Sequence, residues 1–136
     1  MMDWCYDVLE FHDAMNVETP SAPGFPSDER LQLRIDLIQE EFGEFLDGCD
    51  NRSVEDVADA LADLIYVSIG TALEFGIDLR PVWAEVQRSN MDKVGSEVRA
   101  DGKILKPKGW RPPNIAGALK RSFIRKRVPE RAAARS

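Results

Sequence analysis

The chain has 136 residues, of which 43% are hydrophobic, and a formal net charge of −6, as expected for one globular domain with its own core. No apolar run approaches the roughly 18–20 residues of a membrane span, and no basic region precedes an apolar stretch at the N-terminus, so we expect neither a membrane helix nor a secretory signal. Cys5 and Cys49 lack metal-binding spacing, and we expect free thiols in a reducing cytoplasm.

The charge divides the chain into an acidic body and a basic end. Residues 1–119 hold 11 Lys and Arg against 23 Asp and Glu, a net of −12, whereas residues 120–136 hold 7 against one Glu, a net of +6. We therefore predict a helical domain over 1–119 and a basic C-terminal tail over 120–136. The acidic body argues against a general nucleic-acid binder. The tail is either a solvated end or a contact for nucleic acid or an acidic neighbour.

Apolar residues at helical spacing predict the first three helices. The first spans residues 3–15, and a proline-rich loop follows over 18–26. The second runs from about Asp28 to Asp47, with Ser27 or Asp28 as its N-cap and a turn from Gly48 to Arg52. The third helix covers residues 54–75, with Ser53 as its N-cap and Gly76 as the residue that ends it.

The pattern changes in the last third of the chain. Pro81 fits the first turn of a fourth helix, and Asp101-Gly102 fits the turn of a small hairpin over 98–105. Residues 106–114 are too rich in proline to be regular, and a short helix is predicted over 115–127. Long helices joined by short turns indicate an all-α fold, an antiparallel four- to five-helix bundle with a small C-terminal hairpin or loop extension.

Two acidic stripes on consecutive helices carry the strongest chemical signal. The second helix holds Glu40, Glu41 and Glu44, and the third holds Asp56, Asp59 and Asp63. Like charges at these spacings repel across a helix face. Exposed acids usually only solvate a face, but two stripes on antiparallel neighbours, both beside apolar surface, point to a cation between the helices. Mg2+ is the simplest candidate because it prefers oxygen ligands and recruits phosphate groups.

The same residues resemble a known superfamily. Four motifs occur in order along the chain: Glu40-Glu41-x-x-Glu44, Ala62-Asp63-Leu64-Ile65-Tyr66, Ser89-Asn90-Met91-Asp92-Lys93 and Lys106-Pro107-Lys108-Gly109-Trp110. This series is similar to the sequences of MazG-like all-α nucleoside triphosphate pyrophosphohydrolases, which are related to dimeric dUTPases and phosphoribosyl-ATP pyrophosphohydrolase. The resemblance covers residues 5–115. It implies hydrolysis of (deoxy)nucleoside triphosphates to a monophosphate and pyrophosphate, as in nucleotide-pool house-cleaning.

The resemblance also implies roles for individual residues. The metal ligands are Glu41, Glu44, Asp63 and, as a replacement, Asp59, with Mg2+ as the cofactor and Mn2+ as an alternative. Glu40 binds a further metal or acts as the general base. The substrate-binding residues are Tyr66, Asn90, Lys93, Lys106 and Trp110.

One position departs from the superfamily pattern. The glutamate of its ExxD motif falls at residue 60, which here is alanine. Asp59 is the nearest acid that could substitute, and it shares a helix face with Asp63; Asp56 is a second candidate. Because this ligand is missing, a non-catalytic nucleotide-binding or sensor module is an alternative function for the protein.

Two further alternatives concern substrate and partners. Phosphoribosyl-ATP is the rival substrate within the same fold, and a DNA-associated accessory protein that uses the tail is a rival of another class. A small bundle has too little interior for all its apolar faces, so we expect a homodimer or a dimer of dimers, as the resemblance also implies.

Overall fold

The computed structural model describes residues 2–121 and shows an all-α fold, as the sequence predicted. Its helices are α1 (Trp4–Ala14), α2 (Asp28–Asp50), α3 (Val54–Glu74), α4 (Leu79–Met91) and α5 (Ile115–Lys120). Within residues 2–121 there is no strand, and the predicted hairpin is a single antiparallel bridge between Val98 and Ile104. Within these residues no single helix is long and apolar enough to cross a membrane. The helices α3 and α4 together have the required length and composition, but the chain bends by 119° between them. Most of the predicted tail, and the end of the predicted last helix, lie outside the described residues.

The start of α2 and both ends of α3 follow the predicted signals. Capping side chains at the starts satisfy backbone N–H groups that no helical carbonyl can reach. The Ser53 hydroxyl accepts a hydrogen bond from the Asp56 N–H at 3.1 Å, and the Ser27 hydroxyl accepts one from the Arg30 N–H at 3.3 Å. Gly76 follows α3 with a φ of 68°, a left-handed conformation that glycine adopts without steric cost.

The predicted end of the second helix is wrong by one turn. We expected a turn from Gly48, but α2 continues to Asp50, and the reversal falls at Arg52, whose φ is 54°. Gly48 is buried against α3, where an added Cβ would lie 3.1 Å from the Val57 backbone nitrogen. Glycine here permits a close helix–helix approach, and tertiary packing overrides its low helix propensity.

The hydrophobic core lies where α1 packs against the C-terminal half of α3. It consists of Tyr6, Val8, Leu9, Ile69 and Leu73. The apolar stripe of α2 is covered much less. Its Ile35 and Phe42 are 41% and 51% exposed, and the buried residues of α2 are Arg34 and Gly48. One chain therefore leaves a long apolar surface on α2 without cover.

A buried ion network joins α1, α2 and α3. The Arg34 guanidinium, whose side chain is 7% exposed, lies 3.1 Å from a Glu74 carboxylate oxygen. It also donates to the Val67 carbonyl at 2.9 Å. His12 of α1 is buried next to it, and burial, followed by the positive charge of Arg34, lowers the pKa of the imidazole. A neutral ring can pack beside the guanidinium, whereas an imidazolium would add a second buried cation.

Gly70 leaves the space that this network occupies, which gives a paired stability prediction. A Cβ at Gly70 would lie 2.6 Å from Arg34 Nη2 and 2.9 Å from His12 Nε2, while a Cβ at Gly43 of α2 would meet nothing within 4 Å. Because Arg34 is fixed by its partners, we expect Gly70→Ala to destabilise the protein by about 1–2 kcal/mol. We expect the control Gly43→Ala to stabilise it by about 0.5–1 kcal/mol. Urea unfolding monitored by circular dichroism measures both, and equal effects of the two variants would contradict the packing described.

Candidate functional site

Three carboxylates converge between α2 and α3. Glu41 and Glu44 project from α2 and Asp63 from α3, and one oxygen of each lies within 4.8 Å of the others. The two helices run antiparallel, since Gly48 faces Val57 at one end of the hairpin and Arg30 contacts Glu74 at the other. The triad lies between these two ends. The structure thus brings together three of the four residues predicted as metal ligands.

Electrostatics within the triad are unfavourable unless a proton or a cation is present. The Oε2 atom of Glu41 is enclosed and has no hydrogen-bond partner among the described residues. Burial, followed by the contact with Glu44 and the charges of Glu44, Asp63 and Glu40, raises the pKa of Glu41 to about 7. Within residues 2–121 no lysine or arginine forms an ion pair with the triad.

These features fit a hard divalent cation. Mg2+ and Mn2+ take carboxylate oxygens as ligands and keep several waters, so a few protein carboxylates at one side of a site are sufficient. A cation would also provide the partner that Glu41 Oε2 lacks. The cluster is a candidate metal centre, and Glu41, Glu44 and Asp63 are the residues that would hold the ion.

The other predicted acids lie at the margin of the triad. Asp59 is exposed and is not part of the group of three, although it lies one turn before Asp63 on α3. Glu40 is also exposed, and its charge contributes to the raised pKa of Glu41. The roles of Asp59 as a ligand and of Glu40 as a general base remain predictions.

Ala60, the position of the missing superfamily glutamate, is only 2% exposed. It lies three residues before Asp63, on nearly the same face of α3. A carboxylate at this position would therefore be buried close to the triad, where a metal ion would have to compensate its charge.

Four of the predicted substrate-binding residues form a second cluster at the end of α4. The ammonium groups of Lys93 and Lys106 lie 5.0 and 4.9 Å from the centroid of the Trp110 ring. Lys93 also donates to the Asn90 side-chain carbonyl at 3.1 Å. The sequence predicted each of these residues separately, but it did not predict that both lysines contact the same indole ring.

Tyr66, the fifth predicted substrate-binding residue, follows Asp63 by one turn of α3. Its ring meets Phe11 of α1 edge to face, with centroids 5.9 Å apart, and both side chains are partly exposed. Burial, then the negative charges of Asp7 and Glu10, raises the pKa of the Tyr66 phenol, so the group is a neutral hydroxyl at physiological pH. An aromatic pair with one hydrogen-bonding group thus lies between α1 and α3, one turn along α3 from Asp63.

The burial of Ala60 gives a metal-dependent prediction. We expect Ala60→Glu to lower the stability of the metal-free protein, because it buries a fourth carboxylate near three others. Mg2+ or Mn2+ should restore part of that stability, because a ligand that binds the native state stabilises it by mass action. Thermal unfolding with and without the cation measures both effects.

Ala84→Glu is the matched control, because Ala84 is exposed on α4, outside the α2–α3 hairpin. It should change neither the stability nor its dependence on metal. Loss of stability in Ala60→Glu that no divalent cation reverses would contradict the placement of residue 60 beside a metal centre.

Comparison with known proteins identifies the family. The family model for phosphoribosyl-ATP pyrophosphohydrolase matches residues 8–90, a range that includes α2, α3 and the acidic triad. Uncharacterized protein L479 of Acanthamoeba polyphaga mimivirus is 39% identical over 51 residues, which are 38% of this chain and 20% of that protein. The chain thus spans about a fifth of the length of that relative. Family membership supports pyrophosphohydrolase activity on nucleotides, and it agrees with the helical fold and the acidic cluster. The chain belongs to the phosphoribosyl-ATP pyrophosphohydrolase family, part of the MazG-like all-α nucleotide pyrophosphohydrolase superfamily.

Proposed function

We propose that the protein hydrolyses nucleoside triphosphates between the α and β phosphates, releasing a monophosphate and pyrophosphate, with Mg2+ or Mn2+ as the cofactor. The observation that carries this proposal is the convergence of Glu41, Glu44 and Asp63, with one buried carboxylate oxygen left without a partner. Membership of a pyrophosphohydrolase family supports the reaction class.

The chemistry follows from the charge of the substrate. A triphosphate is too negative for water to attack until positive charge is placed near it. Glu41, Glu44 and Asp63 would hold a divalent cation, which would supply that charge and activate water. The protein's own contribution is to hold three carboxylates in one place, where a bound cation would favour the ionised form of Glu41.

The surrounding residues divide the remaining tasks. Glu40, exposed on α2 next to Glu41, would accept the proton of the attacking water. Lys93, Lys106 and Asn90 would provide positive charge and hydrogen bonds for the phosphates and the sugar. Tyr66 would contact the sugar or the base.

Phosphoribosyl-ATP is a second candidate substrate, favoured by the family model that matches the chain. Its triphosphate requires the same metal centre, so the triad does not discriminate between the two substrates. A binding protein without turnover is the third candidate, and the alanine at residue 60 favours it.

Substitutions in the triad test the enzymatic proposal. Glu41→Gln and Asp63→Asn remove a ligand charge with little change of shape, and we expect each to reduce hydrolysis by more than about a hundredfold. Pyrophosphate release is measured with a panel of dNTPs, NTPs and phosphoribosyl-ATP, with and without Mg2+. Asp50→Asn, at the exposed end of α2, is the control and should remain active.

The outcome also separates the three candidates. The best substrate in the panel decides between a nucleoside triphosphate and phosphoribosyl-ATP. Metal-dependent nucleotide binding without any product would identify a sensor. Turnover close to that of the wild type in Glu41→Gln or Asp63→Asn would contradict the assigned metal centre.

We further propose that a second copy of the chain covers the apolar surface of the α2–α3 hairpin. Phe42 and Leu46 of α2 and Leu61 and Ile65 of α3 are each 42–51% exposed. Several large apolar side chains exposed on two packed helices are typical of an interaction site, and a two-fold pairing of the same surface is the commonest way to bury them.

Light scattering after size exclusion tests this assembly. We expect the wild type to elute with the mass of two or four chains, and Leu61→Asp/Ile65→Asp to dissociate because a charge is buried on each side of the interface. Val94→Asp changes an exposed valine beyond α4 and should leave the mass unchanged. A wild-type mass of one chain would exclude the proposed assembly.

A further inference from the structure

We propose that Trp110 is a positioning residue that holds the ammonium groups of Lys93 and Lys106 together as a receptor for a chain of phosphates. The inference deepens the proposed function and rests on it, because the ligand would be the phosphate chain of the substrate and the pyrophosphate product. The segment after α4 that carries Lys106 and Trp110 would then take part in phosphate binding, in addition to the helices that carry the acidic triad.

The indole ring is fixed before any ligand binds. Trp110 Nε1 donates to the carbonyl of Ser89, a buried residue of α4, at 2.6 Å. The Trp110 backbone N–H donates to the Pro107 carbonyl at 3.1 Å, which closes a tight turn. The first hydrogen bond orients the ring and the second fixes the backbone turn that carries it, so the π surface is held in place.

The rest of the extension is fastened to α4 in the same way. Arg88 Nη2 donates to the Pro112 carbonyl at 3.1 Å, and the Asn114 N–H approaches a Glu85 carboxylate oxygen at 3.4 Å. Arg88 and Glu85 are themselves paired at 2.9 Å. The segment that carries Lys106 and Trp110 therefore lies along α4, which brings Lys106 to the helix end where Lys93 is located.

The two lysines form an unusual charge arrangement. Each ammonium group lies about 5 Å from the same ring centroid, so the two lie within 10 Å of each other. Among residues 2–121, neither has a carboxylate within ion-pair distance. The ring attracts both cations through its quadrupole, and an anion bound between them would offset their mutual repulsion.

The spacing and chemistry favour a polyphosphate over a single carboxylate. Two ammonium groups up to 10 Å apart can contact successive phosphoryl groups of one ligand. Lysine acts as a point charge without geometric selection, so this receptor would recognise phosphates and not the base. It would also retain pyrophosphate after cleavage, and we expect pyrophosphate to be a competitive inhibitor.

Pyrophosphate binding to the full-length protein, measured by calorimetry with EDTA present, tests the receptor without catalysis. We expect Lys93→Met and Lys106→Met each to weaken binding by about tenfold, since each removes one charge-assisted contact. Lys108→Met removes an exposed lysine of the same segment and should change binding by less than about twofold.

Substitutions of Trp110 separate positioning from charge. Trp110→Leu keeps both lysines, and we expect binding to weaken by about threefold to fivefold because the support is lost. Trp110→Phe retains a π face and should weaken it less. In hydrolysis assays these variants should raise KM more than they lower kcat. Circular dichroism checks that each variant is folded.

The outcomes distinguish this receptor from the proposed reaction. Pyrophosphate binding that depends on Lys106 but not on Lys108, in a protein without hydrolytic activity, would support the receptor and contradict the enzymatic proposal. Active enzyme in which Lys106→Met matches Lys108→Met, or in which both Trp110 variants bind pyrophosphate as the wild type does, would overturn the receptor and leave the reaction intact.

Discussion

Packing α2 against α3 forces Glu41, Glu44 and Asp63 into a space where their oxygens lie within 4.8 Å of one another. This repulsion lowers the stability of the folded chain. The close helix packing at Gly48 and the ion pairs of Glu74 offset it. The raised pKa of Glu41 has the same cause, because protonation of Glu41 reduces the repulsion when no cation is present. A site that is strained without metal and relaxed with it gains affinity for the metal, and the nucleotide chemistry proposed for this family member depends on that gain.

Charged and polar side chains are buried where α1, α2 and α3 meet. The core between α1 and α3 is small, and Arg34, Glu74 and His12 occupy the junction of three helices. Buried charges of this kind are weak contributors to net stability, but removal of one partner is costly, so they specify one arrangement of the helices. The exposed apolar surface of α2 is the surface that a second copy would bury in the proposed assembly.

Much of this arrangement could be predicted from the sequence. Helical periodicity, Ser53 as an N-cap and Gly76 as a C-terminal signal place α3 within one residue of its ends. Antiparallel neighbours bring Glu41 and Glu44 to Asp63, one member of the second acidic stripe. Tertiary packing could not be predicted this way. A helical wheel does not show that Ala60 is buried while Phe42 is exposed, because each depends on which helix packs where. The shared ring under Lys93 and Lys106 depends on a loop whose course only the folded chain defines.

The repulsion within the acidic triad is tested most directly by a carboxyl carbon-13 NMR titration of Glu41, assigned with Glu41→Gln, in the absence and presence of Mg2+. We expect a midpoint at about 7 without metal, and a midpoint below the usual 4.5 with Mg2+ because the cation stabilises the ionised form. A midpoint near 4.5 under both conditions would contradict this expectation. That result would mean that the three carboxylates neither repel one another as described nor hold a metal ion.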